Sequence, residues 1–541
     1  MKSKSIILLI CLLVGLSQLF GQTETGSGTS GNVEVINVDN LSYKKIDGKK
    51  VRILVGNVAF QKDSMIFKCD SAIQFIDDEM IYAYQNVRFN QGDTLKLTGD
   101  ELTYDDTKEF VEIKGETVVM TDSKMNLRTT ALYYDMLNKV AYYVDSAYIT
   151  DAENKLWSQK GYYYTQSKNM FFKTRVRLQN PEYDVKTDTL GYNVATENSS
   201  FKGPSHITTK DGDYIYCENG VFESQGNQVR LGKNSFIQTE GQFLYGDSLY
   251  YSSATQRGYA YKHARLIDTT KNFEISGNYA EYDRKDDSYL VTDSLLMVQY
   301  DGSDTVYLTS DTLKLFYDST RTKRIALAYK HVRIYSSGYQ AVCDSMAYHS
   351  TDSIVEYFGK PVFWMDSFQV SSQFIKMFMK DGDVDRILLN TNAILGQKHE
   401  FAMFDQIGGD SMTAFFKKGK IRKVDVHSSS KAIYYLLEED SALVGVNEVE
   451  SKRAQIRFKE NNIEKLSFIQ ESSSYVTPAK NVSPLSLRLT GFTWRGVERP
   501  YDPEGLFKVL KTIENSSTTE TTDEVPEETE VLPTEGEELK E

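Results

Sequence analysis

A weak self-similarity returns about every thirty residues for most of this chain, and it constrains the fold more than any single residue does. One phrase of the repeat is short, apolar-alternating and often opened by Gly or Asn. It reads Gly56-Asn57-Val58-Ala59-Phe60, Gln85-Asn86-Val87-Arg88-Phe89, Gly115-Glu116-Thr117-Val118-Val119 and Asp145-Ser146-Ala147-Tyr148-Ile149. Later copies include Thr174-Arg175-Val176-Arg177-Leu178, Gly232-Lys233-Asn234-Ser235-Phe236, Lys262-His263-Ala264-Arg265-Leu266, Lys330-His331-Val332-Arg333-Ile334 and Gly359-Lys360-Pro361-Val362-Phe363. A fixed period of this size marks a stacked array, in which no unit buries its own apolar face and neighbours complete each other's core.

A second phrase falls between copies of the first: Cys69-Asp70-Ser71-Ala72, Gly99-Asp100-Glu101-Leu102-Thr103-Tyr104, Gly246-Asp247-Ser248-Leu249-Tyr250-Tyr251 and Gly409-Asp410-Ser411-Met412 are examples. Each unit thus offers two extended segments of about ten residues with period-two alternation, rich in Val, Ile, Thr, Tyr and Phe. No helical periodicity competes. Polar clusters such as Asp105-Asp106-Thr107-Lys108 join the segments as hairpin turns, so neighbouring strands are antiparallel. Gly within the strands predicts a bend at which each strand leaves one layer and enters a facing one. The expected fold is all-β, a long double antiparallel sheet folded over on itself with apolar side chains inside.

The repeats run from 34 to 470. Before them, Lys2 and Lys4 precede an apolar run from Ile6 to Val14, too short to span a membrane, and 1–21 is expected to be a secretory signal peptide. Residues 22–33 form a flexible leader. Cys11 lies inside the apolar run, with Ile10 before it where a lipoprotein signal wants a small residue, so acylation is not expected. After the array come a C-terminal extension, 471–512, and a disordered acidic tail, 513–541. Pro503–Leu510 is read as a helical turn or two.

The net charge of −14 is unevenly placed. Removing Lys2 and Lys4 leaves −16, and 514–541, with eleven acidic residues and one Lys, supplies −10, so 22–513 carry only −6. No basic face calls for nucleic acid. Cys69, Cys217 and Cys343 remain after the signal, an odd number, and Cys69 and Cys343 occupy equivalent repeat slots. They are expected to be unpaired apolar fillers.

There is no phosphate-binding Gly loop, no Gly-x-Ser-x-Gly and no His-Glu-x-x-His, so the reading is non-enzymatic, with no catalytic residues and no cofactor. His263 and His331 share one repeat slot two units apart and cannot converge on one metal ion. The recurrent Asp (Asp70, Asp100, Asp188, Asp247, Asp311, Asp344, Asp410) suits a bend-capping role, bonding its own backbone, better than a calcium ladder. The apolar stripe carries the remaining functional weight: Val58, Phe60, Val87, Phe89, Val119, Ile149, Val176, Leu178, Phe236, Leu266, Ile334 and Phe363 are the candidate lining residues. The pattern alone fits both a dry packed core and a lumen that accepts acyl chains.

The phrases Gly56-Asn57-Val58 with the strand that follows, then Asp-Ser-Ala or Gly-Asp-Glu-Leu-Thr-Tyr-Asp, resemble the OstA-like family of periplasmic lipopolysaccharide-transport proteins, similar to LptA and the N-terminal domain of LptD. The resemblance covers about 40–460, and Trp494-Arg495-Gly496-x-x-Arg499-Pro500 is similar to the ending of long Bacteroidetes members. It implies an elongated β-jellyroll, or β-taco, whose groove shelters the acyl chains of lipopolysaccharide or a related glycolipid. It also implies a periplasmic place, open to association with the outer membrane, and transport-protein partners joined by β-strand addition. The alternatives are an outer-membrane barrel and a surface β-repeat protein binding polysaccharide.

Overall fold

The computed structural model describes residues 33–507 apart from 92–94, 122–124, 152, 182, 197, 224–227, 253, 284, 302–303, 381–382, 400–402, 418, 439–441, 461 and 483–486. The expected signal peptide with Cys11, nearly all of the leader and the acidic tail lie outside the described residues. Strands follow one another from Glu34–Asn37 to Ser473–Pro478, every described pairing between them antiparallel. Among the described residues, helical backbone is confined to short 3-10 turns at Ala479–Asn481 and Gly496–Glu498 and to 505–507, inside the stretch where the sequence predicts a turn. The fold is the expected all-β, antiparallel jellyroll type. The chain divides into two units, Met1–Gln299 with Asp311–Leu327 and Tyr300–Ser310 with Ala328–Glu541.

In the first unit the long strands bend at mid-length. Lys49–Lys62 pairs with Met65–Phe75 in two stretches, with the register broken between Val55 and Val58. The break recurs between Tyr84 and Val87, Lys173 and Val176, Gly232 and Ser235, and Tyr261 and Ala264. At each break the backbone is left-handed: Gly56 and Asn57, Gln85 and Asn86, Thr174 and Arg175, Lys233 and Asn234, Lys262 and His263. These are the opening residues of the repeat phrase. Gly and Asn enter this region readily, whereas Thr, Arg, Lys and His do so at a cost of about 1 kcal/mol each.

The slot Asp helps hold these bends, though not as expected from sequence. At several bends an Asp receives hydrogen bonds from the bend of the neighbouring strand, whereas Asp188 and Asp344 accept from the hydroxyl of the next residue, Thr189 at 3.1 Å and Ser345 at 2.7 Å. Asn57 Nδ2 donates to Asp39 at 2.9 Å, Asn86 Nδ2 to Asp70 at 2.6 Å, and the Glu116 amide to Asp100 at 2.9 Å. His263 Nδ1 lies 3.0 Å from Asp247. The carboxylate thus serves the next strand, and this explains why the two phrases alternate.

The bend folds each sheet so that its two halves share one interior. On one half, cross-strand registry lines up Phe60, Phe67, Phe89, Leu97 and Met120, and further along Leu178, Val185 and Ile207. On the other half Leu54, Ala72, Ala83, Leu102, Ile113 and Leu132 form the facing ladder. Buried residues of both ladders belong to one apolar cluster extending to Ile207.

The second unit repeats the device. Bends fall at Lys330 and His331, Gly359 and Lys360, Thr391 and Asn392, and Ser428 and Ser429. Ala341, Phe363, Val370, Leu395, Ile407, Ala432 and Val449 are successive cross-strand partners on one layer.

Cys69, Cys217 and Cys343 are buried and free. Burial pushes the Cys69 and Cys217 thiols up to about 11 and that of Cys343 to about 12. All three are therefore protonated in the folded state at neutral pH. Alkylation at pH 8 is expected to label none of these three within an hour in the native protein and all three in guanidinium, as read by mass spectrometry. Gly359 combines φ +77° with a Cβ position 2.3 Å from the Asp344 Cβ, whereas at Gly338 a Cβ would meet nothing. Gly359→Val is expected to cost about 2 kcal/mol or more in urea denaturation, and Gly338→Ala to change little.

Candidate functional site

The space between facing layers is filled differently along the chain. Near the N-terminus of the first unit it is packed shut. Phe60 and Phe67 stack with centroids 4.7 Å apart, and Phe67 reaches across to Tyr104 at 6.4 Å. Phe60, Phe67, Phe89 and Tyr104 are all 0% exposed. A polar clasp adds to this closure. Lys62 Nζ donates to Tyr104 Oη at 3.1 Å and to Asp106 at 2.5 Å, joining the far ends of the two layers. Burial opposes the Lys62 charge, but its hydrogen bonds to Asp106 and Tyr104 hold its pKa well above the usual lysine range.

Past Ile207 the filling changes. The first ladder continues as Ile215, Ile237, Leu244, Leu266, Ile275 and Met297, without an aromatic side chain. Of these six only Ile275 is fully buried. The facing ladder carries small side chains among larger ones: Gly220, Leu231, Leu249, Ala260, Ala280 and Val291. Aliphatic side chains opposite Gly and Ala fill less volume than the Phe and Tyr of the closed end. The partly buried Ile215, Ile237 and Leu244 pack against a small separate cluster around Cys217, Leu231, Leu249 and Ala260. This stretch is an aliphatic trough between the layers, its rungs only partly buried.

The rim of the trough is polar. Asp268, 1% exposed, accepts from Gln242 Nε2 at 2.9 Å and from Thr270 Oγ1 at 2.6 Å. Burial works against its charge, yet the hydrogen bonds from Thr270, Gln242 and the Lys271 amide, with the Lys271 charge, hold its carboxyl down at about 2.

The second unit contains a small apolar void between its layers, with room for little more than a water molecule and open on one side. Phe363, Met365, Val370 and Leu395 line one layer, and Ile375, Ile387, Leu389, Met412, Ala414, Ile421 and Val424 the other. No polar side chain lines it. A void this small and wholly apolar stays dry.

Of the residues predicted from sequence, Val58, Phe60, Val87, Phe89, Ile149, Val176 and Leu178 face the closed part of the first unit's interior. Leu266 lies on the ladder of the trough, Ile334 is buried in the second unit, and Phe363 lines the hollow. Val119 and Phe236 point the other way. Val118 is buried while Val119 pairs with Arg128 on the outer face, because the register break there spans Lys114 to Val118. Phe236 stacks on outer-face Tyr245 at 5.3 Å, and Ile237 takes the inner position. The left-handed pair in that repeat is Lys233 and Asn234, one residue later than Gly56 and Asn57 in the first copy. A one-residue offset at the bend moves every later side chain to the opposite face. Ile237 replaces Phe236 on the inner face for this reason, with the Asn at 234 as its local signal, while Ile215 and Leu244 lie on the intervening strands, outside the phrase that supplied the candidates.

Residues 30–188 match the family of OstA-like proteins. The matched region holds the closed, aromatic part of the interior, while the trough and the second unit lie beyond it. A crystal structure of LptH, described as the LptA homologous periplasmic component of the lipopolysaccharide transport device from Pseudomonas aeruginosa, is 14% identical over 26% of this chain and 81% of that chain, with a TM-score of 0.15. No curated protein matches the sequence.

Asp268 makes the trough rim pH-sensitive. Its folded pKa lies below the ordinary carboxylate value of 3.8. The stability it contributes is therefore complete above about pH 4 and is lost as pH falls towards 2. Asp268→Asn is expected to lower stability by about 2 kcal/mol at pH 7 and to flatten the decline between pH 4 and 2, measured by thermal melts across that range.

Proposed function

We propose that the protein is a non-catalytic periplasmic carrier of a glycolipid of the lipopolysaccharide type, sheltering acyl chains between its layers on their way to the outer membrane. The observation that carries this reading is an interior lined by continuous apolar ladders, whose rungs Ile215, Ile237 and Leu244 are only partly buried in one unit, with a small all-apolar void beside Phe363 and Leu395 in the other. The OstA-like match supports the same assignment.

The energetics suit a carrier. Each methylene kept from water is worth about 0.8 kcal/mol, so a dozen carry a penalty of about 10 kcal/mol in open solvent. Continuous aliphatic ladders remove most of it without fixing the lipid at one point. They have no hydrogen-bonding geometry to satisfy, so the chain can slide from rung to rung. Sugars and phosphates stay outside, beyond the polar rim. Exchange with other transport proteins would occur by strand addition at the free edges of the sheet, where backbone donors and acceptors are unpaired.

Photo-crosslinking residues placed at Ile237 and Leu244 are expected to capture lipopolysaccharide from purified, lipid-loaded protein, while the same group at Phe236 on the opposite face captures at least tenfold less. Equal capture at 236 and 237, or none at 237 and 244, overturns the proposal.

A further inference from the structure

In the second unit one layer has a face turned away from the apolar interior, and that face is not the usual solvated sheet surface. Gln340, Trp364, Gln369, Gly396 and Gln406 are successive cross-strand partners on it. Trp364, Gln369 and Gln406 are no more than 2% exposed. Their cover is the segment 487–500, which is irregular except for one short turn at Gly496–Glu498.

Two glutamines hold this cover by the same two-point contact. Gln406 donates from Nε2 to the Leu487 carbonyl at 3.2 Å and accepts the Leu489 amide at 2.9 Å. Gln369 donates to the Thr493 carbonyl at 2.7 Å and accepts the Arg495 amide at 2.7 Å. Each buried amide thus reads the carbonyl of one residue and the N–H of the residue two further on. Trp364 Nε1 donates to Gln369 Oε1 at 3.2 Å and fixes its orientation.

Between the two glutamines the face is cut to fit an aromatic ring. A Cβ on Gly396 would lie 2.6 Å from Phe492, and the three atoms nearest to it all belong to that ring. Phe492 and Trp494 both pack on Phe404, at 5.6 and 5.3 Å. At the far end Arg499 donates to Gln340 Oε1 and to the Asp366 carbonyl, both at 2.8 Å, and Arg333 donates to the Glu498 carbonyl at 2.6 Å.

We propose that this face is a peptide-recognition site, built for a segment of the type Leu-x-Gly-Phe-x-Trp-Arg and occupied by the chain's own residues 487–500. The contacts are those of a receptor with a ligand: backbone read at two points, one ring seated against a glycine, and arginines at the end. Tethering gives the segment an effective concentration of about millimolar, so even micromolar intrinsic affinity keeps the site filled in cis. A second copy's segment fits the same contacts when the first leaves.

The test uses the full chain with a protease site placed within 483–486. After cleavage the C-terminal fragment is expected to remain bound through gel filtration, and a fluorescent synthetic peptide spanning 485–505 is expected to replace it with micromolar or tighter Kd. Gly396→Ala, whose backbone any residue tolerates, is expected to weaken the peptide at least tenfold, and a peptide carrying Phe492→Ala to be insensitive to that change. Gln369→Leu with Gln406→Leu is expected to weaken it further. A fragment that never exchanges with excess peptide, a second unit that unfolds on cleavage, or affinity unchanged by Gly396→Ala each shows an integral piece of the fold and overturns the proposal.

Discussion

The bend in the middle of each long strand is the constraint from which the rest follows. A flat antiparallel strand serves one sheet. A strand carrying two residues in the left-handed region serves two layers, and its neighbours must bend at the same height for the ladder to continue. The chain meets that demand at Gly56 and Asn57, at Gln85 and Asn86, and again at Lys330 and His331. Many of these residues are neither Gly nor Asn, so the backbone cost is accepted at position after position. Cross-strand pairing on both sides of the bend, with the Asp of the neighbouring strand bonded to it, compensates.

Two layers made from the same strands leave an interior whose width is set by the backbone and whose filling is set by side chains. Near the N-terminus Phe60, Phe67 and Tyr104 fill it, and Lys62 closes the open side on Asp106. Beyond Ile207 the same architecture carries Ile and Leu opposite Gly and Ala, and the rungs are only partly buried. Architecture is constant while occupancy varies.

The second unit shows the opposite economy on its outer face. There the layer buries three glutamines and a tryptophan, groups costly to desolvate unless every polar atom is used. The segment 487–500 supplies the partners, and its backbone groups are satisfied in return. The segment has no regular structure to offer, so its place is determined by side chains of the sheet.

How much of this is legible in the sequence differs by level. The period, the strand character, the antiparallel order and the approximate position of each bend follow from local pattern, because alternation and backbone permissiveness are properties of adjacent residues. The inner residues at Phe60, Phe89, Leu178 and Leu266 follow as well. The facing of Val119 and Phe236 does not, since the exact residue at which a bend falls depends on pairing with both neighbouring strands. Whether the interior is full is less legible still: it is a sum of volumes over two layers, and the ring of Phe67 meets that of Tyr104 only after the sheet has folded. The contacts of Gln369 and Gln406 with residues 487–495 join positions 81 to 126 apart, where no periodicity operates. Sequence determined the strands and where they turn. Tertiary structure alone decided what the turned strands enclose and what covers them, because space between layers belongs to no single stretch of chain.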